Sequence, residues 1–454
     1  MTGLLSAVWA GTAVERTLSD EAWVEAMIEV EIALARAQAK LGVVPEAAVG
    51  PIVEVLGSTR IDVAALAVAS RGSANPVVEL VRELTAAVAA VDPEAAEYVH
   101  RGSTSQDIFD SATMLVSARA LRAIDADLSR VVSALAALAD THRRTPMAAR
   151  TLSQHAVPTT FGLKAAGWLA LVLDARDRLR TTLDSLPVQV GGAAGTLSAY
   201  VEYARLAGVS VEGHAGDLSG LIAAELGLRD PGVPWHTQRT PLVDLGWVVT
   251  MVTGALGKIA VDVLGAARTE VGEVAEPAGE RSGVSSAMPQ KRNPVLATLL
   301  VAAARQGPAY SLMLGQSLLA EDERSAGGWQ AEWEPLRSGL QVAAGAAATA
   351  AELLSGLRVF PERLAANLRS TGGTIVSERL NVALAPVLGK VAAKSLLARI
   401  SRAAAAGEGA FDELLLAAPE LSGVLSAAEL AELLDPAEYV GAADELVDRV
   451  LARQ

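Results

Sequence analysis

The chain contains no cysteine, which excludes disulfides, thiolate nucleophiles and cysteine-ligated metal. Histidine is almost as scarce: there are five, His100, His142, His155, His214 and His236. No pair has zinc-binding spacing and no His-Glu-x-x-His motif occurs, so no metal ligands are expected. Aromatic residues are only 4 % of a chain that is 51 % apolar. Ala, Leu and Val must therefore build the interior, and such small side chains let helix axes approach closely. Positive charge is in deficit, with 38 Lys and Arg against 52 Asp and Glu and a net charge of −14. A nucleic-acid partner is not expected from that balance, and an anionic substrate would need a local basic pocket. The opening MTGLLSAVWAGTAVERT lacks a basic region followed by an apolar run. Apolar stretches elsewhere are cut by Arg, Asp, Glu or Gly before reaching membrane-spanning length. A cytoplasmic protein with no membrane partner is expected.

What is present is helix. At 454 residues two or three domains are expected. Ser19-Asp20-Glu21 reads as the cap of a helix through Trp23, Met27, Ile28, Ile32 and Leu34 that stops at Gly42. Another helix is expected from about Pro76 to Val91. Long Ala/Leu/Val-rich segments follow at roughly 106–142, 159–186, 239–275, 294–319 and 333–356, well beyond the ordinary helix length of ~11–12 residues. Such lengths point to a bundle, and no alternating strand pattern or hairpin turn stands out. The Gly- and Pro-rich stretch 187–238 reads as loops, as does Glu276 to Asn293. The expectation is all-α: an N-terminal helical domain over 1–105, a central long-helix bundle over 106–356 and a C-terminal helical domain over 357–454. The positive mean hydropathy asks for a large subunit interface to cover surplus apolar surface.

Three polar clusters interrupt the helices. The first is His100-Arg101-Gly102-Ser103-Thr104-Ser105-Gln106-Asp107. Its hydroxyls and backbone N–H groups stand where a long helix starts, an arrangement suited to a carboxylate; by itself it also reads as an ordinary Ser/Thr cap. The second is Arg150-Thr151-Leu152-Ser153-Gln154-His155-Ala156-Val157-Pro158, in which His155 precedes a proline-started helix. Acid/base or donor work and a simple capping role fit it equally well in isolation. The third, Ser282 to Pro294, delivers Ser285, Ser286, Lys291 and Arg292 from a small-residue loop of the kind that closes over substrate. Lys291 is suited to stabilising the dianion formed when a proton leaves carbon next to a carboxylate. His142, in Thr-His-Arg-Arg, is expected to be solvated. His214 and His236, in loop-like sequence, are expected at the surface.

The third cluster, Ser285-Ser286-x-Met288-Pro289-x-Lys291-x-Asn293-Pro294, resembles the signature of the fumarase/aspartase superfamily. The other two clusters resemble that family's further active-site regions, in the same order. His100-x-Gly-x-Thr104-Ser105-x-Asp107 is similar to the branch shared by adenylosuccinate lyase and 3-carboxy-cis,cis-muconate cycloisomerase. Gln154-His155-Ala156-x-Pro158, the run Phe161 to Leu169 and Gly327 to Trp333 are most similar to the cycloisomerase pattern. Fumarate-releasing relatives carry a Glu shortly after the signature, orienting the catalytic histidine; the matching position here is Thr298. Gln290 stands where the cycloisomerase commonly has His, and Val284 where Gly is common.

The resemblance implies a cofactor-independent enzyme and a homotetramer whose active sites each gather the three clusters from three subunits. The implied reaction is cycloisomerisation of 3-carboxy-cis,cis-muconate to 4-carboxymuconolactone by intramolecular carboxylate addition. The alternative is a fumarate-releasing lyase acting on an N-substituted or nitro-substituted succinate. Either substrate is a small polycarboxylate. By resemblance Ser285, His155 and Lys291 are catalytic, with the proton assigned to either Ser285 or His155. His100, Thr104, Ser105, Gln154, Ser286, Asn293 and Arg324 would bind substrate.

Overall fold

The computed structural model describes residues 3–277, 283–284, 287–288 and 290–454. Helix dominates, with nineteen α-helices and four short strands among the described residues. The longest are Ser105–Thr141, Phe161–Ser185, Thr240–Ala266, Val295–Gly315 and Gly328–Ser355. All five fall on the segments expected from the sequence. The last starts five residues early, at Gly328, whose N–H donates to the Ser325 hydroxyl at 3.1 Å, and it carries Pro335 inside.

The chain folds into two compact units, with boundaries inside these long helices. One comprises Met1–Leu128, Ala175–Gly257 and Leu299–Thr349; the other comprises Ser129–Asp174, Lys258–Thr298 and Ala350–Gln454. In the first, the Asp20–Lys40 helix begins at Ser19, whose Oγ accepts the Ala22 N–H at 3.2 Å, as the cap signature implied. Its Met27, Leu34 and Ala37 face the core together with Glu31 and Gln38, and both polar residues are buried. The second unit holds a core of Leu380, Leu396, Ile400, Phe411 and their neighbours, supplied by the short C-terminal helices.

Four expectations are corrected. The stretch 187–238 is not only loop: it contains the helices Ser198–Leu206 and His214–Leu226, each entered through a residue in the left-handed region. A hairpin pairs Pro146–Thr151 with Gln154–Thr160. Pro158 therefore lies in a strand, and the following helix starts at Phe161. His214 and His236 are buried, not surface residues. Finally, the Thr240–Ala266 helix is long and apolar enough to cross a membrane, although its most apolar stretch is more than half buried in the fold.

Candidate active site

In the first unit the site is built around the start of the Ser105–Thr141 helix. Asp107, in its first turn, reaches back to the Thr104 N–H at 3.2 Å. The same buried carboxylate accepts N–H bonds from Gly191 and Gly192, both at 2.9 Å, and the Tyr200 hydroxyl at 3.2 Å. His236 Nε2 lies 2.8 Å from it. Burial, reinforced by Asp107, pushes the Tyr200 phenol up, so it remains a donor. Glycine is required at 191, where a Cβ would stand 2.6 Å from the His236 ring. It is required again at 102, which has φ +82° and the Tyr200 ring 2.8 Å from a hypothetical Cβ.

The Asp107 carboxylate takes the Thr104 N–H and the Asp107 N–H goes to the Thr104 carbonyl, so the Thr104 hydroxyl is available for another partner. Arg324 donates to it at 2.9 Å. Its other contacts are the Ala193 and Gly192 carbonyls at 3.0 and 3.5 Å. Glu321 shapes the loop that carries Arg324, accepting from the Ala326 N–H at 2.7 Å and the Ser325 hydroxyl at 3.0 Å. No carboxylate among the described residues pairs with Arg324. A half-buried guanidinium with only neutral partners, a hydroxyl and a helix start together form a seat for an anion. Ser105 opens the helix at this seat.

His100 is held nearby in sequence at φ +58°, with Nδ1 2.6 Å from the buried Glu31 Oε1. Burial alone would lower its pKa. The Glu31 charge and hydrogen bond, with Asp107, outweigh that effect and raise it above the ordinary value.

The second unit carries the other two clusters. Gln154 is exposed and His155 half-buried at the start of the returning strand. The turn consists of Leu152 and Ser153, at φ +50° and +66°. That is the double left-handed geometry of a tight hairpin, made here without glycine. The register places Arg150 directly opposite His155, beside a bulge after Ala148. Arg150 grips the fully buried Glu273 with two bonds of 2.9 and 2.6 Å. His155 Nδ1 is sealed from solvent, and among the described residues no atom hydrogen-bonds it. Burial, then the Arg150 charge, lower the pKa of the ring against the opposing pull of Glu273.

In the third cluster, Ser285 and Ser286 lie outside the described residues, so the structure gives no geometry for them. Around them, Val284 and Arg292 form an antiparallel bridge, and the Asn293 N–H donates to the Gly283 carbonyl at 2.8 Å. Lys291 is exposed and Asn293 half-buried, just before the Val295–Gly315 helix. Glu276 caps that helix, accepting the Leu296 and Ala297 N–H groups at 3.1 and 2.7 Å. The Thr298 hydroxyl donates to the Pro294 carbonyl of its own helix at 2.7 Å.

The structure thus joins Thr104 directly to Arg324, sets Gln154 and His155 side by side in one strand, and puts Lys291 and Asn293 at one helix entrance. It adds residues the motifs did not single out: Glu31, Gly191, His236 and Glu273. The sequence carried a signal for Glu31, a charge three to four residues from Met27 and Leu34 on an otherwise apolar stripe. Among the described residues no cluster of His, Asp or Glu is arranged to hold a metal ion.

A lyase family matches residues 7–307, and the family described as the adenylosuccinate lyase C-terminus matches residues 373–450. The chain is 58 % identical over 450 residues to the nitrosuccinate lyase of Streptomyces davaonensis, covering 99 % of this chain and 94 % of that one. It is 41 % identical over 452 residues to the 3-carboxy-cis,cis-muconate cycloisomerase of Bradyrhizobium diazoefficiens, covering 99 % and 98 %. The solved structure of the 3-carboxy-cis,cis-muconate lactonizing enzyme from Pseudomonas putida matches with a TM-score of 0.91 at 36 % identity, covering 100 % of this chain and 99 % of that one.

Proposed function

We propose a reaction for this chain from one premise: it belongs to the fumarase/aspartase superfamily. The reaction is elimination of nitrite from nitrosuccinate to give fumarate, without a cofactor. The observation that carries this reading is the 58 % identity to a nitrosuccinate lyase along nearly the whole chain. Gln290 and Val284 depart from the cycloisomerase pattern and so leave room for it. The implied activity given first by the motifs, cycloisomerisation of carboxymuconate, becomes the second reading and rests on the 41 % relative.

The elimination breaks the C–H bond on the carbon next to the far carboxylate, and that carboxylate takes up the charge as an enediolate. The electron pair then forms the C=C bond while the C–N bond breaks, and nitrite leaves with its electrons. Fumarate, nitrite and one proton account for every atom. Thr104, Ser105 and Arg324 hold one carboxylate, and Lys291 and Asn293 stabilise the enediolate. Ser285 and His155 handle the proton, with Ser286, Gln154 and His100 lining the substrate. Three subunits of a homotetramer contribute the three clusters.

A substrate panel tests this. The purified protein should release nitrite and fumarate in equal amounts from nitrosuccinate, and leave adenylosuccinate and argininosuccinate unchanged. Consumption of carboxymuconate with no nitrite from nitrosuccinate would replace this reading with the second one. Sedimentation should give a tetramer; an active monomer would remove the shared site.

A further inference from the structure

We propose that Arg150 is a positioning residue for His155, a fixed cation across the hairpin that keeps the imidazole in its neutral form. The inference rests on the reading of His155 as the histidine of the site.

The geometry begins with the register. Arg150 and His155 are directly opposed in the antiparallel pair. Side chains of such partners share one face of the hairpin, with Cβ atoms roughly 4.5–5.5 Å apart. The bulge after Ala148 fixes this pairing by shifting the register just before Arg150.

Arg150 is not a mobile surface cation. Its two terminal nitrogens bond the two oxygens of Glu273, which is 0 % exposed. Asn367 locks the same carboxylate from another side, donating to Oε1 at 2.9 Å and to the Val271 carbonyl at 2.8 Å. A carboxylate held this way cannot swing to accept a proton from the histidine. Glu273 therefore serves as the anchor of Arg150 and not as the acceptor for His155.

The ring itself agrees. Among the described residues of the chain, the charged groups that act on His155 are Arg150 from the opposite strand and Glu273 from the segment before Val274–Ala275. A protonated ring must bury an Nδ1–H donor for which no described residue supplies an acceptor, whereas the neutral ring can place its proton on Nε2 and leave only an uncharged lone pair at Nδ1. Burial and Arg150 both lower the pKa of His155, in that order, while Glu273 opposes them.

Opposite substitutions on one ion pair must then move His155 in opposite directions, which a purely structural role would not do. In the full-length protein carrying 13C-labelled histidine, NMR titration of the five ring signals follows His155 directly, and His155→Gln assigns its signal. The wild-type midpoint should lie below that of a free imidazole. Arg150→Met should move it up, because the cation is gone. Glu273→Gln should move it down, because Arg150 remains with its countercharge removed. Arg150→Lys should leave it nearly in place. A wild-type midpoint at or above the free value overturns the proposal, and that measurement needs no variant to fold. Equal or same-direction shifts in Arg150→Met and Glu273→Gln also overturn it. The acidic limb of kcat/KM with nitrosuccinate is a separate readout. If the NMR shifts occur and the limb does not follow them, Arg150 still tunes the ring, and it is the role of His155 in turnover that fails.

Discussion

Replacing Arg239 with Met leaves two buried carboxylates, Asp110 and Glu332, without the cation that joins them. Arg239 is 2 % exposed, and its guanidinium lies 4.7 Å from the Trp235 ring centre. It bonds Glu332 at 3.0 and 2.6 Å and Asp110 at 2.7 and 3.1 Å. Removing one partner of a buried pair costs about 3–5 kcal/mol. The two carboxylates do not simply double that figure. Asp110 keeps donors from Trp329 at 2.9 Å and Gln106 at 3.1 Å. Burial already holds the Glu332 carboxyl above its ordinary range despite Arg239, so it takes up a proton once the cation is lost. The expected loss is therefore about 4 kcal/mol, within the range for one broken pair. Converting the whole triad to neutral groups, Arg239→Met with Asp110→Asn and Glu332→Gln, should lose less than the single substitution, because no unpaired charge stays buried. Equilibrium denaturation at one protein concentration measures both. A loss under about 1 kcal/mol for Arg239→Met, or a triple variant less stable than the single one, would refute the reasoning. Asp110 lies one turn beyond Asp107, so Arg239→Met should also weaken the Thr104 seat and raise KM.

Thr104→Ala should act through KM, by about 10-fold or somewhat more, with kcat little changed. A remote carboxylate is held alike in ground and transition states, so a collapse of kcat alone in steady-state kinetics would contradict this role. Glu31→Gln should change how stability depends on pH. The pKa of His100 is raised on folding, so its stabilisation is complete below the ordinary 6.5 and is lost as pH rises through the folded value. Thermal melts should show that decline in the wild type and lack it in the variant; identical profiles would dismiss the Glu31–His100 pair as a source. Exhaustive EDTA treatment should leave turnover intact, and a loss restored by a divalent metal would contradict a cofactor-free site.

The helices were legible because their lengths and caps are local properties. Ser19 and the alanine-rich runs needed no tertiary information. The hairpin was not legible: its turn uses Leu152 and Ser153 in left-handed conformations, where Asn-Gly or Asp-Gly would have signalled it, and Pro158 argues against a strand. The buried His236 was hidden for another reason. Its neighbours are glycines and prolines that look like loop, and its partner Asp107 lies 129 residues away. For the site, the motifs pointed to Thr104 and Arg324, which the structure joins. The Thr104-x-x-Asp107 spacing is a local capping pattern, but nothing in the motifs showed that Gly191, Gly192 and Tyr200 would arrive from elsewhere in the chain to hold the Asp107 carboxylate in place.

The environment of His155 bears on which leaving group the site serves. An amine leaving a substituted succinate must gain a proton as the C–N bond breaks, and a histidine paired with a carboxylate is suited to supply it. Among the described residues His155 has no such pairing: position 298 is Thr, bonded to its own helix, and Glu273 is already occupied by Arg150. Nitrite leaves as a stable anion and needs no proton. The same holds for the carboxylate that would depart in the reverse of cycloisomerisation. A histidine kept neutral fits both of these reactions and is poorly matched to amine release. The two readings supported by the relatives therefore share one electrostatic requirement, and the N-substituted succinates do not share it. What separates nitrite from carboxylate must lie in how the substrate is seated. The carbon bearing a nitro group is the more acidic one, yet removing its proton gives a nitronate that cannot eliminate. A nitrosuccinate lyase must aim its base at the other carbon. Position decides that outcome more than basicity, so under the proposed reaction Arg324, which remains when Thr104 is truncated, would hold the carboxylate that sets which carbon meets the base.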